Sequence, residues 1–190
     1  MIRIAVVDPQ PAVRAGLAML LRTEPGLIPV GASHGVADGL ELVARHRPDV
    51  VLVEHHLPDG DGLSLTRRLK ALAPAPQVIV YTADTDRTLA LLARVAGADG
   101  LADKATAPHE LFEAIRMVAR GDTALPPLAA HDLDAAAHRI LAEDLALLAM
   151  LVDGTTVVDA ADTLRLDHRN VGRRIERMLG QLRAASPAVA

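Results

Sequence analysis

Four polar side chains in the first two thirds of the chain have the types needed for phosphoryl chemistry: Asp8, Glu54, Thr82 and Lys104. Each lies at or just after the end of a short apolar run typical of a buried β-strand. Carboxylates bind Mg²⁺, while a hydroxyl and an ammonium can hold phosphoryl oxygens. Polar residues also occur at strand ends simply because the chain reaches the protein surface there. Four residues of these types at four such ends nevertheless favour a magnesium-assisted phosphoryl site.

The elements that must position these residues alternate between two periodicities over residues 1–121. The pattern predicts strands at residues 2–7, 28–32, 50–53, 78–81 and 97–102, and helices at 12–22, 36–46, 63–72, 85–96 and 106–120, the last capped by Thr106. Five successive strand–helix units predict a doubly wound, five-stranded parallel sheet with helices on both faces, a flavodoxin-like α/β fold. The carboxyl ends of such strands converge in one crevice, which would bring the four side chains together.

The composition excludes several kinds of site. The chain has 190 residues, 51% of them apolar, no Cys and a net charge of −4 at pH 7. It therefore has no disulfide, Cys-ligated zinc or thiol nucleophile, and its charge argues against indiscriminate binding of polyanions.

The start of the chain reaches Asp8 too soon for a signal peptide, and the apolar run at 145–152 is far shorter than the ~18 residues of a membrane span. We expect a cytoplasmic protein with no membrane partner.

A domain boundary is predicted where glycine and paired prolines follow the last helix of the first domain, at Gly121, Pro126 and Pro127. We assign residues 1–121 to the α/β domain, 122–140 to a linker that can be helical, and 141–190 to a small all-α domain. Its three helices are predicted at 141–152, 156–164 and 168–182, and the small-residue tail after them is expected to fray.

The last two of these helices have helix-turn-helix spacing. Ala161 is small where two helices would cross, Leu166 falls in the turn, and Val171 and Ile175 would hold the second helix down. The arginines of this second helix could contact phosphates or guanine edges. An arginine-bearing, solvated face on a three-helix bundle is the alternative interpretation. The predicted DNA-binding residues are Arg169, Asn170, Val171, Arg173, Arg174 and Arg177.

Two further groups near Glu54 could suggest a metal site. His55 and His56 are adjacent, so on a strand they would point to opposite sides and could not easily share an ion. The acids Asp59 and Asp61 with their glycines resemble a calcium loop, but Lys70 stands where the closing glutamate would be. We therefore interpret both groups as ordinary loop residues.

Residues 1–121 resemble the receiver domain of two-component response regulators over their whole length. The resemblance is carried by Val6-Val7-Asp8, by the stretches 48–62 and 78–83, and by 97–104 ending in Lys104. It implies that Thr82 is the switch hydroxyl and Lys104 the phosphate-contacting lysine. Three positions depart from the family pattern: Pro9 replaces the second acid after the first strand, Glu54 stands at the phosphoacceptor position, and Leu101 replaces the switch aromatic.

These departures imply a degenerate receiver outside the ordinary aspartyl-phosphate cycle. A glutamate carries a charge of about −1, against −1.5 to −2 for a phosphoryl group, and could pair directly with Lys104. We predict no metal and no cofactor. If magnesium did bind weakly, Asp8 and Glu54 would be its ligands. We do not predict a partner histidine kinase.

Residues 141–182 resemble the helix-turn-helix output of LuxR-type (NarL/FixJ-like) response regulators, and also region 4 of sigma factors. The stretches 150–154 and 158–164 match in register. Arg165 replaces a turn glycine of the family, which costs roughly 1 kcal/mol if its backbone is left-handed. The family's fourth helix has no counterpart here. The resemblance therefore implies a homodimer formed through the receiver, by its fourth and fifth helices and fifth strand.

Together these features predict a transcription regulator that binds double-stranded DNA and is not an enzyme. Two alternatives stay open. The receiver could be phosphorylated in an unusual way at Asp8 or Asp49, or the helical part could bind RNA or a protein such as a sigma factor.

Overall fold

The computed structural model describes residues 1–84 and 87–184, whose contacts form two compact units. The first unit contains residues 1–84 and 98–125, and the second contains residues 87–97 and 126–184. None of the helices in the described ranges is long and apolar enough to cross a membrane.

The first unit is built on a parallel β-sheet. The strands of the unit are β1 (Ile2–Val7), β2 (Leu27–Ser33), β3 (Val50–Val53), β4 (His56–Leu57), β5 (Gly60–Asp61), β6 (Gln77–Thr82) and β7 (Gly100–Asp103). The sheet has the strand order β2-β1-β3-β6-β7, and the very short strands β4 and β5 form a separate antiparallel pair. The predicted doubly wound, five-stranded parallel sheet is thus confirmed.

Helices cover the sheet on both faces, which explains why its central strands are continuously apolar. All four residues of β3 are buried. The helices of this unit are α1 (Pro11–Thr23), α2 (Val36–His46), α3 (Gly62–Lys70) and α5 (Pro108–Ala119). One face packs against Leu17 and Leu21 of α1 and Phe112 and Ile115 of α5. The other packs against α2 and α3.

The N-cap of helix α5 lies one residue later than predicted. We expected Thr106 to cap it, but the residue at the N-cap is Ala107, which has no capping side chain, and Pro108 occupies the first turn. Proline fits there because the first amides of a helix have no partner inside the helix. The prediction that Thr106 caps this helix was therefore wrong.

The second unit is all helical within its described residues. It contains α4 (Arg87–Val95), α6 (Ala130–Ala137), a short 3₁₀ turn (Ala142–Asp144), α7 (Leu145–Val152), α8 (Val157–Leu164) and α9 (His168–Arg183). Helix α4 contacts α7 and α9, and α8 also packs against both. We assigned α4 to residues 1–121, whereas these contacts group it with the carboxyl-terminal helices. The predicted start of α4 at Thr85 lies outside the described residues. So does the tail predicted to fray, residues 184–190, apart from its first residue.

Candidate functional site

Three backbone hydrogen bonds place the polar residues at the carboxyl edge of the sheet. The N–H of Glu54 donates to Val7 O (2.8 Å), and the N–H of Lys104 donates to Thr82 O (2.9 Å). The N–H of Asp8 donates to the carbonyl of Ser33, at 3.0 Å. Each bond extends the parallel ladder one residue beyond a strand end. The side chains of neighbouring strands therefore leave the sheet at the same level.

The four predicted pocket residues meet around one ammonium group. Lys104 Nζ lies 2.5 Å from Asp8 Oδ2 and 2.6 Å from Glu54 Oε2. The Thr82 hydroxyl also donates to Glu54, and the His56 N–H donates to Glu54 Oε1 at 3.2 Å. The exposed fractions of the Lys104, Asp8 and Glu54 side chains are only 12%, 2% and 8%. A buried cation is therefore shared between two buried carboxylates.

Both partners of the Glu54–Lys104 pair are stabilised in their charged forms. Burial raises the pKa of Glu54, but the hydrogen bonds from Lys104, Thr82 and the His56 N–H outweigh it and hold this pKa below its ordinary value. Burial lowers the pKa of Lys104, but its bonds to Asp8 and Glu54 raise this pKa overall. The pair therefore stays ionised throughout the neutral range.

The loop after Glu54 folds back tightly against it. A Cβ on Gly62 would lie 2.1 Å from the carbonyl oxygen of Glu54, closer than any carbon can approach. The N–H of Gly62 donates to His55 O (2.8 Å), which closes the loop at the start of α3. A glycine is required here by the close approach of two backbone segments.

The two aspartates of this loop cap helices. Asp59 accepts from the N–H groups of Val36 and Ala37 at 2.7 and 3.0 Å, at the start of α2, and these bonds lower its pKa. Asp61 accepts from the first amides of α3. Both carboxylates therefore have helix-capping roles.

The adjacent histidines do not form a metal centre with their neighbours. Their rings meet edge to face with centroids 4.4 Å apart, and His55 Nδ1 lies 3.3 Å from Asp61 Oδ1. Over residues 1–84 and 87–184, no group of three or more His, Asp or Glu side chains is arranged to hold a metal ion.

A magnesium ion does not fit the pocket as these residues arrange it. Lys104 Nζ occupies the space between Asp8 and Glu54, where a cation would have to bind. The next residue after Asp8 is Pro9, which offers no carboxylate. Asp49 cannot supply one either, because it precedes β3 at the opposite end from Glu54 and accepts the N–H of Arg3 at 2.7 Å.

In the second unit, α8 and α9 form a helix-turn-helix. The Thr156 hydroxyl accepts the Asp159 N–H (3.1 Å) at the start of α8, and Asp167 accepts the Asn170 N–H (2.8 Å) at the start of α9. Arg165 in the turn has φ 53° and ψ 42°, which is left-handed. Arg165 therefore has the left-handed backbone for which we predicted a cost of about 1 kcal/mol.

The predicted DNA-contacting residues of α9 do not all face solvent. Arg169 and Arg173 are exposed, and Asn170 is half-buried. Val171 is fully buried and packs with Ile175 in the core of this unit. Its packing role agrees with the sequence prediction, but its assignment to the DNA-contacting set was wrong, because a side chain in the core cannot reach a base.

The remaining two arginines bind an aspartate that is completely buried. Arg174 Nε donates to Asp144 Oδ1 at 2.5 Å, and Arg177 Nη2 donates to Asp144 Oδ2 at 2.7 Å. Arg174 also donates to the carbonyl of Glu143, while Arg177 pairs with the Glu143 carboxylate at 2.6 Å. These bonds join the 3₁₀ turn to α9. Only Arg169 and Arg173, among the predicted arginines, are therefore exposed without a described ion-pair partner.

Sequence reasoning missed the roles of Asp59 and Asp144. Both make contacts over long sequence separations, 22 or 23 residues for Asp59 and 30 or 33 for Asp144. No local periodicity signals such a contact. The only available hint for Asp144 is the i, i+3 spacing of Arg174 and Arg177, which puts two cations on neighbouring parts of one helix face.

Known proteins similar to this chain cover both units. The family model of the response regulator receiver domain matches residues 4–116. The DNA-binding transcriptional activator DevR/DosR of Mycobacterium tuberculosis is 32% identical over 192 residues, covering 96% of this chain and 88% of that protein. A two-component response regulator of the LuxR family from Aurantimonas sp. SI85-9A1 matches 67% of this chain and 91% of its own, with 31% identity and a TM-score of 0.63.

A full-length fold match comes from RcsB of Salmonella enterica serovar Typhimurium, solved bound to promoter P1flhDC in the presence of phosphomimetic BeF3⁻. It covers 95% of this chain and 91% of its own, with a TM-score of 0.63. At 18% identity this likeness supports the fold alone.

Proposed function

Because this chain belongs to the response regulators, of the LuxR (NarL-like) type, we propose that it regulates transcription by binding double-stranded DNA through α8 and α9. The proposal is supported by the helix-turn-helix geometry of this pair and by the exposed arginines of α9. In such motifs the second helix enters the major groove, and its outward side chains contact bases and phosphates. DevR/DosR, which matches nearly the whole chain, is named as a DNA-binding transcriptional activator.

We propose further that the receiver does not run the aspartyl-phosphate cycle. The observation that carries this proposal is the position of Lys104 Nζ, 2.5 Å from Asp8 and 2.6 Å from Glu54. The lysine that would contact a phosphoryl group is thus already neutralised by a side chain of the chain itself. Neither a magnesium ion nor a histidine kinase is then needed to place a negative charge beside Lys104.

Two treatments of the full chain test the receiver proposal. Acetyl phosphate with Mg²⁺ should leave no acid-labile phosphate on the protein, and BeF3⁻ with Mg²⁺ should not shift the amide resonances around Glu54. A response regulator with an ordinary receiver, treated in parallel, is the positive control. Stoichiometric labelling, or a saturable shift centred on Glu54, would mean that the pocket is a functional phosphoacceptor site.

Duplex binding is tested by fluorescence anisotropy, followed by recovery of bound genomic fragments. Affinity should fall steeply with salt, each phosphate contact adding a log–log slope of about −0.9. Unlabelled RNA of the same length should compete poorly with duplex DNA. Preferential competition by RNA, or no duplex binding at low salt, would favour the view that the helical part binds RNA or a protein.

We also propose a homodimer formed through the receiver, but with a smaller contribution from α4 than the resemblance implies. The apolar residues of α4, such as Leu89 and Val95, are buried, so this helix has little apolar surface to offer. Helix α5 keeps Met117 exposed. Sedimentation velocity should show a dimer that Met117→Glu weakens, whereas Met19→Glu, at an exposed methionine of α1, should leave it intact. The reverse result would place the interface on α1.

A further inference from the structure

Arg177 is held by two carboxylates that differ greatly in burial. Asp144 is fully buried and accepts from both Nε (3.1 Å) and Nη2 (2.7 Å) of Arg177. Glu143 accepts from Nη2 at 2.6 Å, and its side chain is 62% exposed. Both acids lower the free energy of the charged guanidinium, and the pKa of Arg177 is accordingly raised, most strongly by its hydrogen bond to Asp144. The arginine thus has one fixed anionic partner and one at the surface.

The position of Arg177 on α9 places it beside the predicted DNA contacts. Residues four apart on a helix lie one above the other on the same side, so Arg177 follows Arg173 along the exposed side of α9. Its side chain is 40% exposed, against 15% for Arg174. Arg177 can therefore be reached from solvent, whereas Arg174 is largely enclosed with Asp144.

We propose that Glu143 occupies the edge of the Arg177 guanidinium that a DNA phosphate takes, so that duplex binding exchanges an intramolecular carboxylate for a backbone phosphate. This inference rests on the proposed DNA-binding function. Asp144 stays bound to Arg177 and keeps the guanidinium oriented. Separation of this pair would leave the buried Asp144 carboxylate with Arg174 as its remaining partner, which is costly. Glu143 is free to move into water. Carboxylate and phosphate bind a guanidinium through the same pairs of N–H groups, which makes the exchange chemically matched.

Glu143 would therefore be an affinity-setting residue that competes with DNA. The competition is modest, because exposed ion pairs are weak and screened by salt. Removal of the Glu143 carboxylate should tighten DNA binding, but only in a protein that retains Arg177 to bind the phosphate. This dependence distinguishes the exchange from a general reduction in negative charge, which would act equally with or without Arg177.

The experiment is a double-mutant cycle on the full chain, with Glu143→Gln, Arg177→Gln and the double variant. Binding is measured by fluorescence anisotropy to a 20-base-pair duplex of random sequence, because a phosphate contact does not depend on sequence. Glu143→Gln should raise the affinity by about 1.5- to 5-fold at low salt. In the Arg177→Gln background the same change should have no effect. Asp153→Asn, which removes an exposed acid of the same unit, measures the general electrostatic effect.

Three results would overturn the exchange. These are an unchanged or reduced affinity in Glu143→Gln, an equal gain from Glu143→Gln with and without Arg177, and a gain in Asp153→Asn as large as the gain in Glu143→Gln. Failure of the wild-type chain to bind duplex DNA at any salt concentration would instead reject the proposed function. Circular dichroism of each variant checks folding, which Glu143→Gln should not change because this side chain lies at the surface.

Discussion

Lys104 and Glu54 form a buried ion pair, with Nζ 2.6 Å from Oε2, at the position that the resemblance to receiver domains assigns to the phosphoacceptor. The same ammonium lies 2.5 Å from Asp8, so one cation pairs with both acids of the pocket and the three groups together keep one negative charge. A phosphoryl group would bring a charge of about −1.5 to −2, whereas Glu54 contributes about −1. Under the proposed function, the pocket therefore holds a permanent charge that is smaller than that of a phosphoryl group.

Removal of the ammonium should destabilise the first unit strongly. Lys104→Met leaves two carboxylates buried without their cation, and we expect the free energy of unfolding in urea to fall by about 3 kcal/mol. Arg120→Met is the control, since the Arg120–Asp122 pair is exposed at 64% and 61% and should contribute less than about 0.5 kcal/mol. Equal losses in the two variants would show that the pocket pair behaves like a surface pair.

Acid should weaken the fold through Glu54. Its pKa lies below the ordinary value of 4.5 in the folded state, so its stabilising effect is present above pH 4.5 and is lost as the pH falls through the lowered pKa. Lys104 acts in the opposite sense. Its stabilising effect is present below pH 10.5 and is lost as the pH rises through its raised pKa.

This pH dependence is measured as the difference in unfolding free energy between the wild type and Glu54→Gln. The difference should be largest near neutral pH and should shrink as the pH falls below 4.5. A difference that stays constant down to pH 2.5 would contradict the assignment of the lowered pKa to Glu54.

Alanine substitutions at two glycines, one in the tight loop after Glu54 and one in α1, should have opposite effects on stability. Gly62→Ala puts a Cβ 2.1 Å from a backbone oxygen, and we expect a loss of about 3 kcal/mol. Gly16→Ala in α1 meets no atom within 4 Å and should stabilise the protein by up to about 1 kcal/mol. Thermal unfolding of both variants checks this, and a mild effect of Gly62→Ala would mean that the loop can move away from β3.

The arginines of α9 should separate into two classes. Arg173→Ala should leave stability within about 0.5 kcal/mol but weaken duplex binding by about 1–3 kcal/mol and reduce the salt slope by about one. Arg174→Ala should instead cost about 3 kcal/mol of stability, because Asp144 is fully buried and loses its Nε–H donor at 2.5 Å. Urea unfolding and anisotropy on both variants measure the two effects. An Arg174→Ala variant of wild-type stability that binds DNA poorly would return Arg174 to the contact set.

The fold and the pocket could be predicted because both depend on short-range pattern. The apolar run of β3 and its neighbours identifies buried parallel strands, and parallel strands bring Asp8 and Glu54 to one edge. At Arg165 the resemblance gave only a conditional cost for a left-handed backbone, and the structure shows that this condition is met.

What could not be predicted depends on contacts between distant segments. The capping of α2 by Asp59 and the pairing of Arg174 with Asp144 are invisible to periodicity. The contacts of α4 with α7 and α9 arise from segments about fifty or more residues apart in the sequence. Apolar spacing marks α4 as buried but does not say which helices bury it.

The charge at Glu54 is encoded in the polypeptide, so no kinase or phosphatase can add or remove it after synthesis. Under the proposal, every folded copy carries the same pocket, and the pool of competent regulators equals the pool of molecules made and not yet degraded. Dimer formation and promoter occupancy would then follow mass action on that pool. Control of such a regulator passes to gene dosage, translation and turnover, and its response time becomes that of protein synthesis and dilution.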